Sequence, residues 1–257
     1  MNTTTRQRPS LETLVENGDI NIPVLHPGGL ESTAELARNC RVKKDTRVLD
    51  VCSGTGESAC YLVQVFGAAL KGIDNSPRMV AAARRKAAAR NIDIEFTQGD
   101  AERLPYPNNS FEVAIAECSL CLLDKVKVLN EMVRVVEPGG YVAVHDLCWQ
   151  PGTPDEMRAR LAEIEGERPE TLQGWQDLFE HAGLSDVRAQ DRSSVMPHWL
   201  KTVNMQIGLM DRIGIYAKVA FRWGWQGISD VRDSERIFAS PYLGYMTIHG
   251  RKPESKA

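Results

Sequence analysis

The sequence predicts one α/β domain built on a doubly wound, mostly parallel, seven-stranded Rossmann-like sheet, with a helical insertion between the last two strands. Short β-branched and apolar runs alternate with helical patterns, which is typical of parallel strands joined by crossover helices. The first run ends in a glycine-containing turn that leads directly into a helix. The 257 residues, of which 42% are apolar and 25% charged, are enough for one ordinary core and show no internal repeat.

Each predicted strand is a short run of β-branched or apolar residues bounded by turn-forming residues. In chain order the strands are 46–51, 69–73, 92–97, 112–116, 141–146, 186–190 and 243–249. Helices are predicted where apolar residues recur every three or four positions, and one of them has Pro77 in its first turn. They cover 30–39, 57–65, 77–91, 125–136, 154–166 and 171–182. Right-handed crossovers make a doubly wound sheet the simplest way to connect these elements.

Residues 1–257 are predicted to form a single domain with four consecutive parts. Residues 1–45 form an arm, broken by prolines and glycines up to residue 29, followed by the first helix. Residues 46–194 form the core, residues 195–240 a helical cap, and residues 241–257 the last strand and a tail. The cap is rich in Trp, Met and Ile at helical spacing, so its side chains form an apolar pocket, the core of the insertion or a dimer face.

Charge and hydropathy exclude several classes of protein. The formal net charge is -3, and the one basic cluster, at 84–90, is interpreted as a solvated helix face, so nucleic acid is not an expected partner. No run approaches eighteen apolar residues, and the first ten residues lack an apolar segment. No membrane partner is therefore expected, and a cytoplasmic location is predicted.

The six cysteines are expected to be thiols, because the chain is long and shows no export signal. Cys118 and Cys121 form one CxxC pair. A structural zinc site needs a second such pair or a pair of histidines at similar spacing, and neither follows. The sequence therefore predicts no metal.

The loop after the first predicted strand is the leading candidate for a binding site. Ligands of open α/β sheets bind beyond the carboxyl ends of the strands, most often at the first strand-to-helix loop. Here that loop is Cys52, Ser53, Gly54, Thr55 and Gly56. Its glycines let the backbone approach a ligand closely, and the first N–H groups of the following helix attract a carboxylate or a phosphate.

Three acidic residues indicate which ligand the loop serves. Asp50 ends the first strand, Asp74 follows 24 positions later at the end of the second, and Asp100 follows 26 positions after that. An ionised carboxylate only accepts hydrogen bonds, so these positions suit ribose hydroxyls and an adenine amino group. A dinucleotide-binding dehydrogenase is the competing interpretation, but its loop needs a third glycine at position 59, where this chain has Ala.

Four stretches of the chain resemble the successive motifs of class I S-adenosylmethionine-dependent methyltransferases of the small-molecule type. They are VLDVCSGTG, GIDNSPRM, QGDAERLPYPNNSFEVAIAEC and RVVEPGGYVAV, which together span about residues 47–147. Cys52 departs from the pattern, since the family usually has glycine there. The resemblance implies S-adenosylmethionine as the cofactor and S-adenosylhomocysteine as its product.

The resemblance also implies where each part of the cofactor lies. The methionine part lies at the loop with Asp50 nearby, the ribose lies at Asp74, and the adenine lies at Asp100 and the backbone after it. Glu117 and the residues after it flank the methyl donor. The implied cofactor residues are Asp50, Cys52, Ser53, Gly54, Thr55, Gly56, Asp74, Asn75, Met79, Asp100, Ala101, Glu102 and Glu117.

Methyl transfer requires a nucleophile held in line with the methyl group and, for some acceptors, a base. The acceptor is expected to be a small molecule whose N, O, S or C atom is methylated, and a homodimer is left open. His145 could act as a base, but a histidine in an apolar strand is more often a buried structural residue. His26 is interpreted as part of a lid or of an ordinary helix entry. The catalytic candidates are His26, Glu117, Cys118 and His145. The substrate candidates are Cys121, Cys148, Trp149 and Trp199.

Two alternatives remain open at this level. The segment AECSLCLLDK resembles the corresponding region of arsenite methyltransferases, whose thiolates hold a soft metalloid. Cys118 matches one cysteine of that region, whereas Cys121 is displaced and no cysteine follows Cys148. A thiol or metalloid acceptor is therefore one alternative. The other is a non-catalytic S-adenosylmethionine-binding sensor or partner subunit.

Overall fold

A computed structural model of the chain describes residues 8–20 and 26–254. The parts of the predicted arm at 1–7 and 21–25, and the end of the predicted tail at 255–257, lie outside the described residues. In the described part, no helix is both long enough and apolar enough to span a membrane.

One sheet runs through the molecule and has the predicted architecture. Its strands are β1 (Arg47–Val51), β2 (Ala69–Asp74), β3 (Glu95–Gln98), β4 (Phe111–Glu117), β5 (Val136–Trp149), β6 (Glu170–Thr171), β7 (Ser185–Asp191) and β8 (Leu243–Arg251). They lie in the order β3-β2-β1-β4-β5-β8-β7, and β6 pairs with the end of β5. The first five strands run parallel, whereas β8 is antiparallel to both β5 and β7. All seven predicted strands are confirmed, and the two-residue β6 is additional.

The helices cover both faces of the sheet and form the cap. They are α1 (Leu11–Glu16), α2 (Gly29–Asn39), α3 (Glu57–Phe66), α4 (Pro77–Ala89), α5 (Lys125–Val135), α6 (Asp155–Ile164), α7 (Leu172–His181), α8 (Met196–Gln206) and α9 (Leu209–Phe238). The last two occupy the predicted insertion between β7 and β8. A non-helical Gly224 interrupts α9, with φ 67° and ψ −157°.

The sequence analysis places the first helix at about residue 30, whereas the structure has an earlier short helix, α1, within the arm at residues 11–16. Ser10 begins this helix because its Oγ accepts a hydrogen bond from the backbone N–H of Thr13 at 3.1 Å. The helix is only six residues long, so it depends on packing rather than on its own propensity. That packing comes from the cap.

Three apolar clusters hold these layers together. Val48 on β1 packs into the cluster on one face of the sheet, and Leu49 and Val51 pack into the cluster on the other, because successive side chains of a strand point to opposite faces. The third cluster joins the arm to the cap. It consists of Leu14 and Ile20 from the arm with Ile215, Val219 and Ile228 from α9.

Candidate active site

A cleft of about 260 Å³ lies beyond the carboxyl ends of β1, β2 and β4. Leu11 and Val15 of α1 and Trp199 and Phe238 of the cap form part of its wall. Most of the predicted cofactor residues line this cleft: Asp50, Cys52, Ser53, Gly54, Thr55, Asp74, Asn75, Met79, Ala101 and Glu117. Of the predicted catalytic and substrate residues, His26, Cys118, Cys121 and Trp199 line it as well.

The remaining predicted site residues do not line the cleft themselves: Gly56, Asp100, Glu102, His145, Cys148 and Trp149. Gly56 is closely packed, because a Cβ at its φ of 73° would lie 2.8 Å from atoms of Ala83 and Phe96. Asp100 is exposed, and its Oδ1 accepts a hydrogen bond from the backbone N–H of Glu102 at 2.8 Å. Cys148 and Trp149 are buried in the core below the cleft.

The loop after β1 presents its backbone to the cleft. Gly54 has φ 50°, and none of the described residues places a heavy atom within 4 Å of the position that a Cβ would occupy there. A ligand can therefore approach this backbone closely. Cys52 has φ 60°, a left-handed conformation that glycine adopts without strain. This backbone explains why glycine is the usual residue at that position.

The carboxylate of Asp74 is held at the edge of the cleft by backbone groups. Its Oδ2 accepts from the N–H of Gly54 at 2.8 Å, and its Oδ1 accepts from the N–H of Ser76 at 2.9 Å. Ser76 in turn begins α4, where its Oγ accepts from the N–H of Met79. One side chain thus joins the ends of β1 and β2 to the start of a helix.

Five polar side-chain atoms on the cleft wall are buried and have no hydrogen-bond partner within the described protein. They are His26 Nδ1, Asp50 Oδ2, Ser53 Oγ, Ser119 Oγ and Trp199 Nε1. Each buried polar group without a partner costs about 1–3 kcal/mol, so these atoms favour a polar ligand. Burial, with Glu117 and Asp74 nearby, raises the pKa of Asp50 well above its usual range. A cation in the cleft would offset this concentration of acidic groups.

The charge of the cleft is one-sided. Its lining includes Asp50, Asp74, Glu117, Asp146 and Glu167, and no Lys or Arg among the described residues. Carboxylates attract ammonium and sulfonium groups and repel phosphates, most strongly where burial lowers the local dielectric constant. The cleft therefore favours a cationic ligand over an anionic one.

His26, Glu117 and His145 form one buried cluster at the back of the cleft. His26 Nε2 lies 3.6 Å from Glu117 Oε2, and His145 Nδ1 lies 3.5 Å from Glu117 Oε1. Thr33 Oγ1 donates to the same carboxylate at 2.9 Å, and Ser58 Oγ lies 3.4 Å from His26 Nε2. The two imidazole rings meet edge to face at 5.0 Å. Their ligand atoms form the one group in the described chain that could hold a metal ion.

Burial and pairing fix the charges of this cluster. Burial alone would raise the pKa of Glu117, but His26 and His145 together lower it to about 2. Burial lowers the pKa of His145 to about 4, although Glu117 partly opposes this shift. At neutral pH the cluster therefore contains an ionised carboxylate and a neutral His145. Since His145 does not line the cleft, His26 is the imidazole that faces a ligand.

The low pKa of His145 predicts an acid-sensitive fold. An unfolded histidine binds a proton near its ordinary pKa of 6.5, whereas His145 stays neutral in the folded state until about pH 4. The free energy of unfolding is therefore expected to fall between pH 6.5 and 4 by up to about 3 kcal/mol more in the native chain than in H145Q. Urea unfolding across this range measures the difference. An identical pH dependence in both proteins would contradict the assignment.

Three cysteines at the cleft or in the core next to it have raised thiol pKa values. Burial, with Asp146 nearby, raises the pKa of Cys118 and of Cys121 well above the ordinary range. Burial likewise raises the pKa of Cys148 to about 12. All three thiols are therefore protonated at neutral pH, whereas metals and metalloids bind thiolates.

Sequence reasoning did not identify several residues of the site. Thr33 and Ser58 bond to the histidine and carboxylate cluster, and Leu11, Val15 and Phe238 line the cleft. These are common residue types in distant parts of the chain. No local motif marks them, so only the fold brings them together.

Comparison with known proteins connects this geometry to a family. Residues 48–140 match the protein family described as Methyltransferase domain. Over 175 residues the chain is 31% identical to phosphoethanolamine N-methyltransferase 1 of Arabidopsis thaliana, a match that covers 68% of this chain and 36% of that relative. The chain thus spans about a third of the length of such curated relatives.

Two solved structures show the same fold. Phosphoethanolamine N-methyltransferase 2 of Haemonchus contortus, in complex with S-adenosyl-L-methionine, has a TM-score of 0.76 and 19% identity, with 94% of this chain and 56% of that chain covered. The cyclase SpnF has a TM-score of 0.74 and 22% identity, with 97% of this chain and 99% of that chain covered. At this level of identity the likeness shows the architecture alone.

Proposed function

The chain carries a class I S-adenosylmethionine-dependent methyltransferase domain, and from that premise we propose that it transfers a methyl group from this cofactor to a neutral or cationic small molecule. The observation that carries the proposal is the acidic cleft at the loop after β1. Fold alone does not determine the reaction, because one architecture can serve different chemistries. The reaction therefore has to be inferred from the residues of the cleft.

The residues present fit the cofactor of this class. S-adenosylmethionine has an ammonium, a sulfonium, a carboxylate and two ribose hydroxyls. The open backbone at Gly54 and the unpartnered Ser53 Oγ suit the methionine part, and the backbone-held carboxylate of Asp74 suits the ribose. The ionised carboxylate of Glu117 suits the positive groups. Asp100, which is exposed, stays a prediction as an adenine contact.

When bound, S-adenosylmethionine supplies an electrophilic methyl group on a positively charged sulfur. The chain has to orient the acceptor, exclude water and, where the acceptor is protonated, accept a proton. His26 lines the cleft, and its Nε2 lies 3.6 Å from the Glu117 carboxylate. That carboxylate orients the His26 ring in the cleft. Glu117 and His145 thus act through His26 as positioning residues.

The acidic lining of the cleft limits which charge the methyl acceptor can have. The plant relatives are named for phosphoethanolamine, which has a phosphate. The described lining of this cleft offers that phosphate no Lys or Arg and contains several acidic side chains. A neutral or cationic acceptor avoids the repulsion between a phosphate and the acidic side chains of the cleft. The protonated thiols of Cys118, Cys121 and Cys148 do not favour the metalloid alternative.

Calorimetry and turnover assays test the proposal in two steps. S-adenosylhomocysteine is expected to bind, and labelled S-adenosylmethionine is expected to methylate members of a panel of amines, phenols and thiols faster than their phosphorylated analogues. H26Q is expected to lower kcat about a hundredfold while leaving cofactor affinity within threefold. H181Q, which changes an exposed histidine at the end of α7, is the matched control.

Three results would contradict parts of this proposal. Failure to bind S-adenosylhomocysteine would overturn the cofactor site. Faster methylation of phosphorylated acceptors would overturn the charge argument. Binding without turnover across the panel would favour the non-catalytic sensor or partner subunit.

We also propose a cytoplasmic enzyme, because all six cysteines are free thiols, as a reducing compartment keeps them. The homodimer stays a prediction from sequence.

A further inference from the structure

A second cavity, which we call the cap chamber, lies between α1 and the cap. It has a volume of about 340 Å³, and its walls are mostly apolar. We define it by Leu14, Ile20, Leu200, Ile215, Val231 and Ala239. Cavities of this size and composition bind small organic molecules through their apolar parts.

The cap chamber adjoins the cofactor cleft. Leu11, Trp199 and Phe238 line both cavities, so the two share one wall. Trp199 Nε1 is a buried donor that has no partner in the described protein. A buried indole N–H ordinarily finds an acceptor, and this one lies in the wall that separates the two cavities.

The polar groups around the chamber are already paired with one another. Glu165 accepts hydrogen bonds from the backbone N–H of Leu11 at 2.8 Å and from the hydroxyl of Ser234. Arg212 lies 3.5 Å from Glu235, which also accepts from the hydroxyl of Tyr216 at 3.0 Å. A charged guest would have to compete with these pairs. An apolar guest leaves them intact.

We propose that the cap chamber binds the apolar body of the methyl acceptor, whose nucleophilic atom reaches the cofactor cleft past Trp199 and Phe238. The acceptor is then an amphiphile with a neutral or cationic polar end and an uncharged aliphatic or aromatic body. This inference rests on the proposed function for the identity of the guest. The chamber itself is tested separately from methyl transfer.

Binding of the neutral fluorescent probe N-phenyl-1-naphthylamine tests the chamber. The native protein is expected to bind it, and I215W is expected to weaken binding at least tenfold, because the new ring fills the cavity. V231W provides a second variant in case I215W does not fold. The matched control is I213W, two residues away on the same helix, where the native side chain is 55% exposed. Its probe affinity should equal that of the native chain.

A parallel measurement separates this inference from the proposed function. S-adenosylhomocysteine is expected to bind the native chain, I215W and V231W equally, and longer N-alkylamines are expected to be methylated better by the native chain than by I215W. Absence of probe binding, or equal probe affinity in the native chain and both filled variants, would overturn the chamber. Loss of probe binding in F221S would place the probe on the exposed Phe221 instead, with the same consequence. Failure of S-adenosylhomocysteine to bind while the probe binds would overturn the proposed function alone.

Discussion

Replacing Asp74 by Ala is expected to weaken the binding of S-adenosylhomocysteine about a hundredfold or more. An ionised carboxylate that accepts two hydroxyl hydrogen bonds contributes about 1.5–3 kcal/mol for each, and about 1.4 kcal/mol corresponds to tenfold in affinity. The substitution also removes the acceptor for the N–H groups of Gly54 and Ser76, which loosens the loop itself. Calorimetry on the purified variant measures the combined loss.

Two further variants separate these contributions. D74N keeps a side-chain oxygen for one backbone N–H but cannot accept from both hydroxyls, so its affinity should lie between those of the native chain and D74A. D93A removes an exposed carboxylate before β3 and should bind as the native chain does. Unchanged affinity in D74A would show that the ribose lies elsewhere.

Replacing Trp175 by Ala is expected to lower the free energy of unfolding by about 3–5 kcal/mol, which corresponds to about 6–20 °C in Tm. Trp175 on α7 is fully buried, and its Nε1 donates to the backbone carbonyl of Leu147 on β5 at 3.0 Å. Truncation creates a cavity and removes the indole donor to that carbonyl. Thermal and urea unfolding measure the loss.

W225A is the matched control, because Trp225 on α9 is 87% exposed. Its removal should change the free energy of unfolding by no more than about 0.5 kcal/mol. Equal destabilisation by W175A and W225A would contradict the structure at both positions.

The sheet was largely predictable because its signals are local. A buried parallel strand is a short apolar run with a turn at its end, and seven such runs became seven strands. What could not be predicted depends on distant partners. β6 has only two residues and exists because it pairs with the end of β5, and α1 is one short helix held by packing against α9.

The candidate site likewise has a part that local sequence signals predict and a part that only the fold brings together. The loop from Cys52 to Gly56 and the acid at Asp74 follow strand ends, so the sequence predicts both as cofactor contacts and predicts the class of cofactor. His26, Glu117 and His145 come from the arm, β4 and β5, and each was a candidate for its chemistry alone. Their meeting around one carboxylate depends on the order of the strands. Gly56 is the opposite case. It belongs to the predicted loop, but the packing around it is what requires a glycine there.

The cluster that joins the arm to the cap has a consequence for both cavities. Leu14 packs against the α9 cluster, while Leu11 and Val15, on the same short helix, close the cofactor cleft. Displacement of this helix would therefore change the walls of both cavities at once. We accordingly expect occupancy of one cavity to alter the affinity of the other for its ligand.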